Sequence, residues 1–141
     1  MHMPTIVIDR AETRSITIAA APEAVLEVVA DARRLPEWAP RFAHAVRPAG
    51  DDWIVDTGAG ELRITLRVSR ELGTVDLLRP GGPPRGAFLR VLPNHDGAEL
   101  LFTLFFPDGT GEAEITEQMA TVEGELQTVG ALSTATAHSA A

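Results

Sequence analysis

The chain contains no cysteine and no lysine, and each absence narrows what it can be. Without cysteine there is no disulfide support, no thiol nucleophile and no thiolate metal site, although the absence names no compartment. Without lysine, all twelve basic residues are arginine, set against twenty acidic ones, for a formal net charge of -8. That balance disfavours a nonspecific nucleic-acid binder or a protein held on anionic lipid by charge, because both concentrate positive potential. Arg33 and Arg34 are the only adjacent basic pair, and they read as a solvated helix end. No uninterrupted apolar segment can span a membrane, and the first residues lack a basic stretch followed by a secretory hydrophobic run. The expectation is a soluble cytoplasmic protein with no nucleic-acid partner and no integral membrane association.

What is present suffices for one domain. The 141 residues, 45% of them hydrophobic, can bury roughly two thirds of the unfolded surface without a staple. Ten prolines and twelve glycines punctuate the chain as turns. Alternation from Glu12 to Ile18 predicts a first strand, which Ile6 and Ile8 extend or precede as a frayed arm. Pro22 suits the first turn of a helix carrying Val25, Leu26, Val28 and Val29 toward Asp31. A further helical turn is expected over Arg33 to Glu37, ended by Pro40.

The middle of the chain reads as sheet. Strands are expected at Ala43 to Arg47, Trp53 to Asp56, Glu61 to Arg70, Thr74 to Leu78, Arg85 to Leu92 and Glu99 to Phe106. The clearest is Glu61 to Arg70, where Leu62, Ile64, Leu66 and Val68 oppose Arg63, Thr65, Arg67 and Ser69. Pro80 to Pro84 and Pro93 to Gly97 read as turns or loops. The last strand is apolar on both faces, which leaves one face free for a partner in a structural or protein-interaction role.

After Pro107-Asp108-Gly109 the period changes. Ile115, Met119, Val122, Leu126 and Val129 form one apolar stripe on a helix of about 20 residues. Glu112, Glu114, Glu117, Glu123 and Glu125 are expected mainly on its other faces, and the early ones suit its positive end. Gly124 weakens the helix by about 1 kcal/mol relative to alanine, either for close packing or as a tolerated cost. The division is 1–11 as an extension or the start of the first strand, 12–132 as the domain, and 133–141 as a flexible tail. The fold class is α+β, a curved antiparallel sheet covered by the long last helix.

From Glu12 to Leu132 the chain resembles the START-like, or SRPBCC, superfamily, the polyketide cyclase/dehydrase and lipid-transport group. The resemblance rests on Ser15 to Val25 leading into Asp31, on Leu35-Pro36-Glu37-Trp38-Ala39-Pro40, and on the final amphipathic helix. It implies a helix-grip architecture with a largely apolar pocket for lipids, sterols, hormones or aromatic polyketides. It carries no catalytic motif that could be transferred. On this chain it places Trp38 and Phe42 near the pocket mouth or its supporting core, and Met119, Val122 and Leu126 on the helix side.

The residues then distribute as follows. Trp38 and Phe42 offer dispersion contacts to an apolar ligand, and Ile64, Leu66, Phe88, Phe102 and Leu104 supply the sheet wall; each is equally suited to ordinary core. Trp53 fits hairpin packing. His44 and Arg90 are the catalytic candidates, the first on a strand and the second sharing parity with Phe88, while His95 sits in a turn. His2 and His138 lie near the ends. Asp56, Asp76, Glu61, Arg63 and Arg90 could serve in acid–base chemistry if they point inward; a buried arginine would need a partner, and the sequence identifies no such pair. Arg63 is expected to face solvent. No metal site and no cofactor are expected: the histidines lack ligand spacing, Gly58-Ala59-Gly60 is no dinucleotide fingerprint, and Gly81-Gly82 lacks the lysine of a phosphate loop. Three functional readings stand: a carrier or sensor of a small hydrophobic or aromatic molecule, a cyclase/dehydratase-like enzyme in the same cavity, and a filled-core interaction domain, with a homodimer as one option.

Overall fold

The computed structural model describes residues 5–81 and 85–140, with side chains described as far as residue 135. His2 and residues 82–84 of the expected proline-glycine loop lie outside the described residues. Strand β1 (Arg10–Ile18) turns its even-numbered residues inward, ending on buried Ile18. Residues 5–9 precede it without strand pairing, and Ile6, Val7 and Ile8 are exposed.

Pro22 occupies the first turn of α1 (Pro22–Val29), where its missing amide costs nothing. Val25, Leu26, Val28 and Val29 are all buried. The Asp31 carboxylate accepts the Arg33 amide at 3.0 Å and so opens a 3-10 turn, Ala32–Arg34, that runs into α2 (Leu35–Trp38). The remaining strands are β2 (Ala45–Ala49), β3 (Asp52–Asp56), β4 (Glu61–Ser69), β5 (Thr74–Leu78), β6 (Gly86–Asn94) and β7 (Gly97–Phe106). They form one curved antiparallel sheet in the order β1-β7-β6-β5-β4-β3-β2. The architecture is the helix-grip arrangement expected of the sequence.

Two boundaries differ instructively. The β6–β7 turn is tighter than the expected Pro93–Gly97: Asn94 pairs with Gly97, leaving His95 and Asp96 as a two-residue connection. His95 takes a φ of +52°, as the mirror-image turns that match sheet twist require. The final helix, α3 (Glu112–Ala140), continues through the segment expected as a flexible tail. Ser133 extends the buried stripe there because its hydroxyl donates to the Val129 carbonyl at 2.7 Å, which satisfies a polar group that would otherwise be costly inside.

Three sectors of α3 meet different surroundings. Glu112 and Glu123 pair with Arg10 and Arg14 of β1. Ile115, Met119, Val122, Leu126 and Val129 are buried in the core. A third sector, carrying Gln118, Thr121 and Glu125, fronts an opening in the interior. None of the described helices is long and apolar enough to cross a membrane.

Candidate functional site

The interior is not packed solid. A cavity of about 590 Å³ lies between α2, the inner faces of β4 to β7, and α3. Its deepest wall is apolar: Leu35, Trp38, Ala39, Ile64, Leu77, Phe102, Phe106 and Val122 all line it and are buried. Half-buried Phe42, Leu62, Ala87 and Leu104 continue that wall outward. Its rim is polar, with Arg41, Arg79, Arg85, Glu114 and Gln118 lining it while exposed to solvent. The lining also includes Thr110, Thr121 and Glu125.

Each wall arises locally. On β7, Phe102, Leu104 and Phe106 share the inner parity, and Ala87 of β6 pairs with Leu104 across the ladder. A small residue at 87 leaves volume that a larger one would take. Gly86 beside it has a φ of +155°, and a Cβ there would fall 1.8 Å from the Leu77 carbonyl oxygen. Only glycine lets the β5 and β6 backbones approach so closely at the cavity wall. On the helical side, Trp38 meets Phe102 edge to face, with ring centroids 6.4 Å apart.

Two polar features stand out. Trp38 is 2% exposed, and its indole Nε1 is a buried donor without a partner among the described residues. Such orphans are uncommon in folded proteins and call for a physical explanation. Glu125 has no ion pair or hydrogen bond among the described residues, and burial pushes its carboxyl up to about 7.

Among the expected ligand-facing residues, Trp38, Phe42, Ile64, Phe102, Leu104 and Val122 are brought together around this space. Leu66 packs against the core without lining the cavity. Met119 and Leu126 are also absent from the wall: both are buried on the apolar stripe, whereas the cavity meets the neighbouring sector of the helix. Phe88 points the other way. On β6, Leu89 and Val91 are buried, so Phe88 and Arg90 take the outer face, where Phe88 meets Phe105 edge to face at 5.5 Å. Phe102 and Leu104 face inward, and the exposed apolar residue of β7 on the outer face is Phe105.

The two catalytic candidates lie elsewhere. His44 is exposed, with its ring over Gly58. Arg90 Nη1 donates to Asp76 at 2.7 Å, and Arg67 Nη2 donates to the same carboxylate at 2.8 Å. Burial raises the Asp76 pKa, but the hydrogen bonds from Arg90 and Arg67 outweigh it and hold the group below its ordinary value. That trio is a structural network on the outer face of the sheet. Arg63 is exposed and pairs with Asp52 at 3.3 Å, and the Arg33 guanidinium stacks 4.8 Å from the Trp53 ring centroid. Glu125 lies off the apolar stripe as expected, but patterning does not single it out as a cavity residue. Its signal is the polar series Glu114, Gln118, Thr121 and Glu125, which recurs at helical spacing beside the apolar stripe.

No protein-family model matches the sequence, and no curated protein matches it. Solved structures do resemble it. An aromatase/cyclase, Zhui from Streptomyces sp. R1128, superposes with a TM-score of 0.66 at 14% identity, covering 88% of this chain and 93% of that one. A START superfamily protein from Mycobacterium smegmatis gives a TM-score of 0.64 at 13% identity, covering 86% of this chain and 94% of that one. The Aha1 dimer from Colwellia psychrerythraea gives 0.66 at 14% identity, with coverages of 88% and 96%. Identities this low speak to architecture and not to activity. With its seven-stranded grip on α3 and its interior cavity, the chain has the START-like helix-grip fold.

Proposed function

We propose that the protein binds a small, largely apolar or aromatic molecule in the cavity between α3 and the sheet. The observation that carries this reading is the unpartnered Trp38 Nε1, set in an apolar wall around about 590 Å³ of space. Cavities of roughly 300–1,000 Å³ with a few polar groups among apolar side chains are the usual form of a small-molecule site. A ligand acceptor placed at Trp38 would relieve the orphaned donor, and water release and dispersion on the aromatic wall would supply the affinity.

Native mass spectrometry of freshly purified protein, followed by denaturing extraction, tests this directly. The expected result is a discrete mass increment released as one small molecule. N-Phenylnaphthylamine serves as a neutral aromatic probe in parallel, with saturable fluorescence enhancement that Leu104→Trp suppresses by filling the cavity. A native mass equal to that of the bare chain, together with no saturable probe binding, would sink the proposal.

A second reading, acid–base transformation of the bound molecule, is favoured by one residue. Glu125 lines the same cavity with a carboxyl near pKa 7, where a group can both give and take a proton at neutral pH. Under that reading Glu125→Gln retains probe binding and abolishes exchange of the ligand's acidic protons with deuterated water, followed by NMR. Unchanged exchange in the variant would remove Glu125 from the chemistry.

A further inference from the structure

The arginines divide in a way that specifies the ligand further. Eight of the twelve, Arg10, Arg14, Arg34, Arg47, Arg63, Arg67, Arg70 and Arg90, are paired to carboxylates, and Arg33 lies over Trp53. The three left without a side-chain partner among the described residues are Arg41, Arg79 and Arg85. All three line the cavity. With twenty acidic residues in the chain, carboxylates are plentiful, yet among the described residues these three rim guanidinium groups have neither a carboxylate nor an aromatic ring as partner.

Two of them are also held together by the backbone. The Arg79 amide donates to the Arg85 carbonyl at 2.8 Å, the rung next to the Leu78–Gly86 pair of the β5–β6 hairpin. Arg79 shares parity with Leu77, and Arg85 with Ala87, both of which line the cavity. Like charges placed opposite each other on a ladder repel. Arg41, arriving from the end of α2, adds a third positive charge to the same rim. A bound anion would turn that repulsion into charge-assisted hydrogen bonding, for which the planar guanidinium is suited.

We infer that the cavity takes an amphipathic anion, with an apolar or aromatic body against Trp38 and Phe102 and its carboxylate, sulfonate or phosphate head at Arg41, Arg79 and Arg85. The inference rests on the proposed ligand-binding role and specifies the ligand class. Glu125 is the half-buried acidic group on the same cavity, and it disfavours an anionic head placed beside it on α3. The ligand is a single dissolved molecule, because a net charge of -8 opposes docking on an anionic membrane.

A matched pair of probes tests this. Anilinonaphthalene sulfonate and N-phenylnaphthylamine share one aromatic body and differ by the sulfonate. The double variant Arg79→Gln/Arg85→Gln, checked for an unchanged melting temperature, is expected to bind the sulfonate about fivefold or more weakly at low ionic strength. Binding of the neutral probe should stay within about twofold, since aromatic burial does not involve the charges. Added salt should weaken only the sulfonate in wild-type protein. Equal losses for both probes, or no loss for either, overturn the inference while leaving the cavity as a binding site. Failure of both probes to bind wild-type protein overturns the binding role and this inference together. Arginine-dependent sedimentation of the protein with phosphatidylglycerol vesicles would place the rim on a membrane and overturn it as well.

Discussion

The two ends of the interior are built from the same strands and come out differently. At one end, Leu89 and Val91 of β6, Ala98 and Leu100 of β7, Ile18 of β1 and the apolar face of α1 are all at most 3% exposed and belong to one core cluster. At the other end, Ala87, Phe102, Leu104 and Phe106 continue the same inner face around a cavity. The strands do not change character between these regions. What changes is the opposing surface: α1 covers the first, whereas the second meets Gln118, Thr121 and Glu125 and only the short α2. Space remains where the cover is short and polar, and that lesson locates the site more sharply than any single residue does.

The largest test of this contrast is a pair of truncations. Leu100→Ala removes a fully buried side chain from the close-packed end and should cost about 2–5 kcal/mol of unfolding free energy. Leu104→Ala removes the same atoms beside an existing void and should cost about 1 kcal/mol or less, because little packing is lost and no new cavity is opened in dry core. Urea unfolding of the two variants measures the difference. Equal losses would mean that the cavity end is packed as tightly as the other.

Glu125 gives a smaller, pH-dependent handle on the open end. Its folded pKa of about 7 lies above the ordinary 4.5, so between these values the folded state binds the proton more tightly than the unfolded chain does. The stability this contributes is fully present below about pH 4.5 and is lost as pH rises through about 7. The loss is on the order of 3 kcal/mol. Glu125→Gln keeps the shape, removes the charge and flattens the profile. Denaturant titrations at pH 5 and pH 8 should therefore find the variant more stable than wild type only at pH 8. A parallel pair of profiles would place the carboxyl in water and shrink the polar wall of the cavity.

Most of the architecture was legible because it rests on periodicity. The stripe from Ile115 to Val129 reports burial directly, whichever residues lie opposite, and alternation in Glu61 to Ser69 reports the strand and its inward parity, although Val68 near its end is exposed. The cavity was legible only in part, because it is a property of facing surfaces. Trp38, Phe42, Phe102 and Leu104 line the same cavity, a convergence that no single strand or helix pattern contains. Phe88 does not join them, and because adjacent Phe88 and Leu89 are both apolar the phase of β6 could not be read from either. Met119 and Leu126 belong to the apolar stripe, but a stripe does not say which neighbouring sector of the helix meets empty space. The rim arginines come from the ends of α2, β5 and β6, and they differ from the other nine only in what they lack, a property that exists once every other arginine has found its partner. The raised pKa of Glu125 likewise comes from tertiary burial, which local patterning does not contain.

The smallest predicted effect tests the boundary between the sectors of α3. Gly124 lies between Glu123, which pairs with Arg14, and Glu125, which lines the cavity. A Cβ added at Gly124 meets no atom within 4 Å, and the residue is exposed. Close packing therefore does not explain this glycine, and its flexibility is a cost the fold tolerates. Gly124→Ala should stabilise the protein by about 0.5–1 kcal/mol, chiefly by restricting the unfolded chain, and raise the melting temperature by about 2–4 °C in a scan. Binding of the neutral aromatic probe should not change, because position 124 faces water while position 125 faces the cavity. An altered probe affinity in this variant would mean that the open space extends around the helix past Glu125, and the sharp division between its charged, buried and cavity-facing sectors would have to be redrawn.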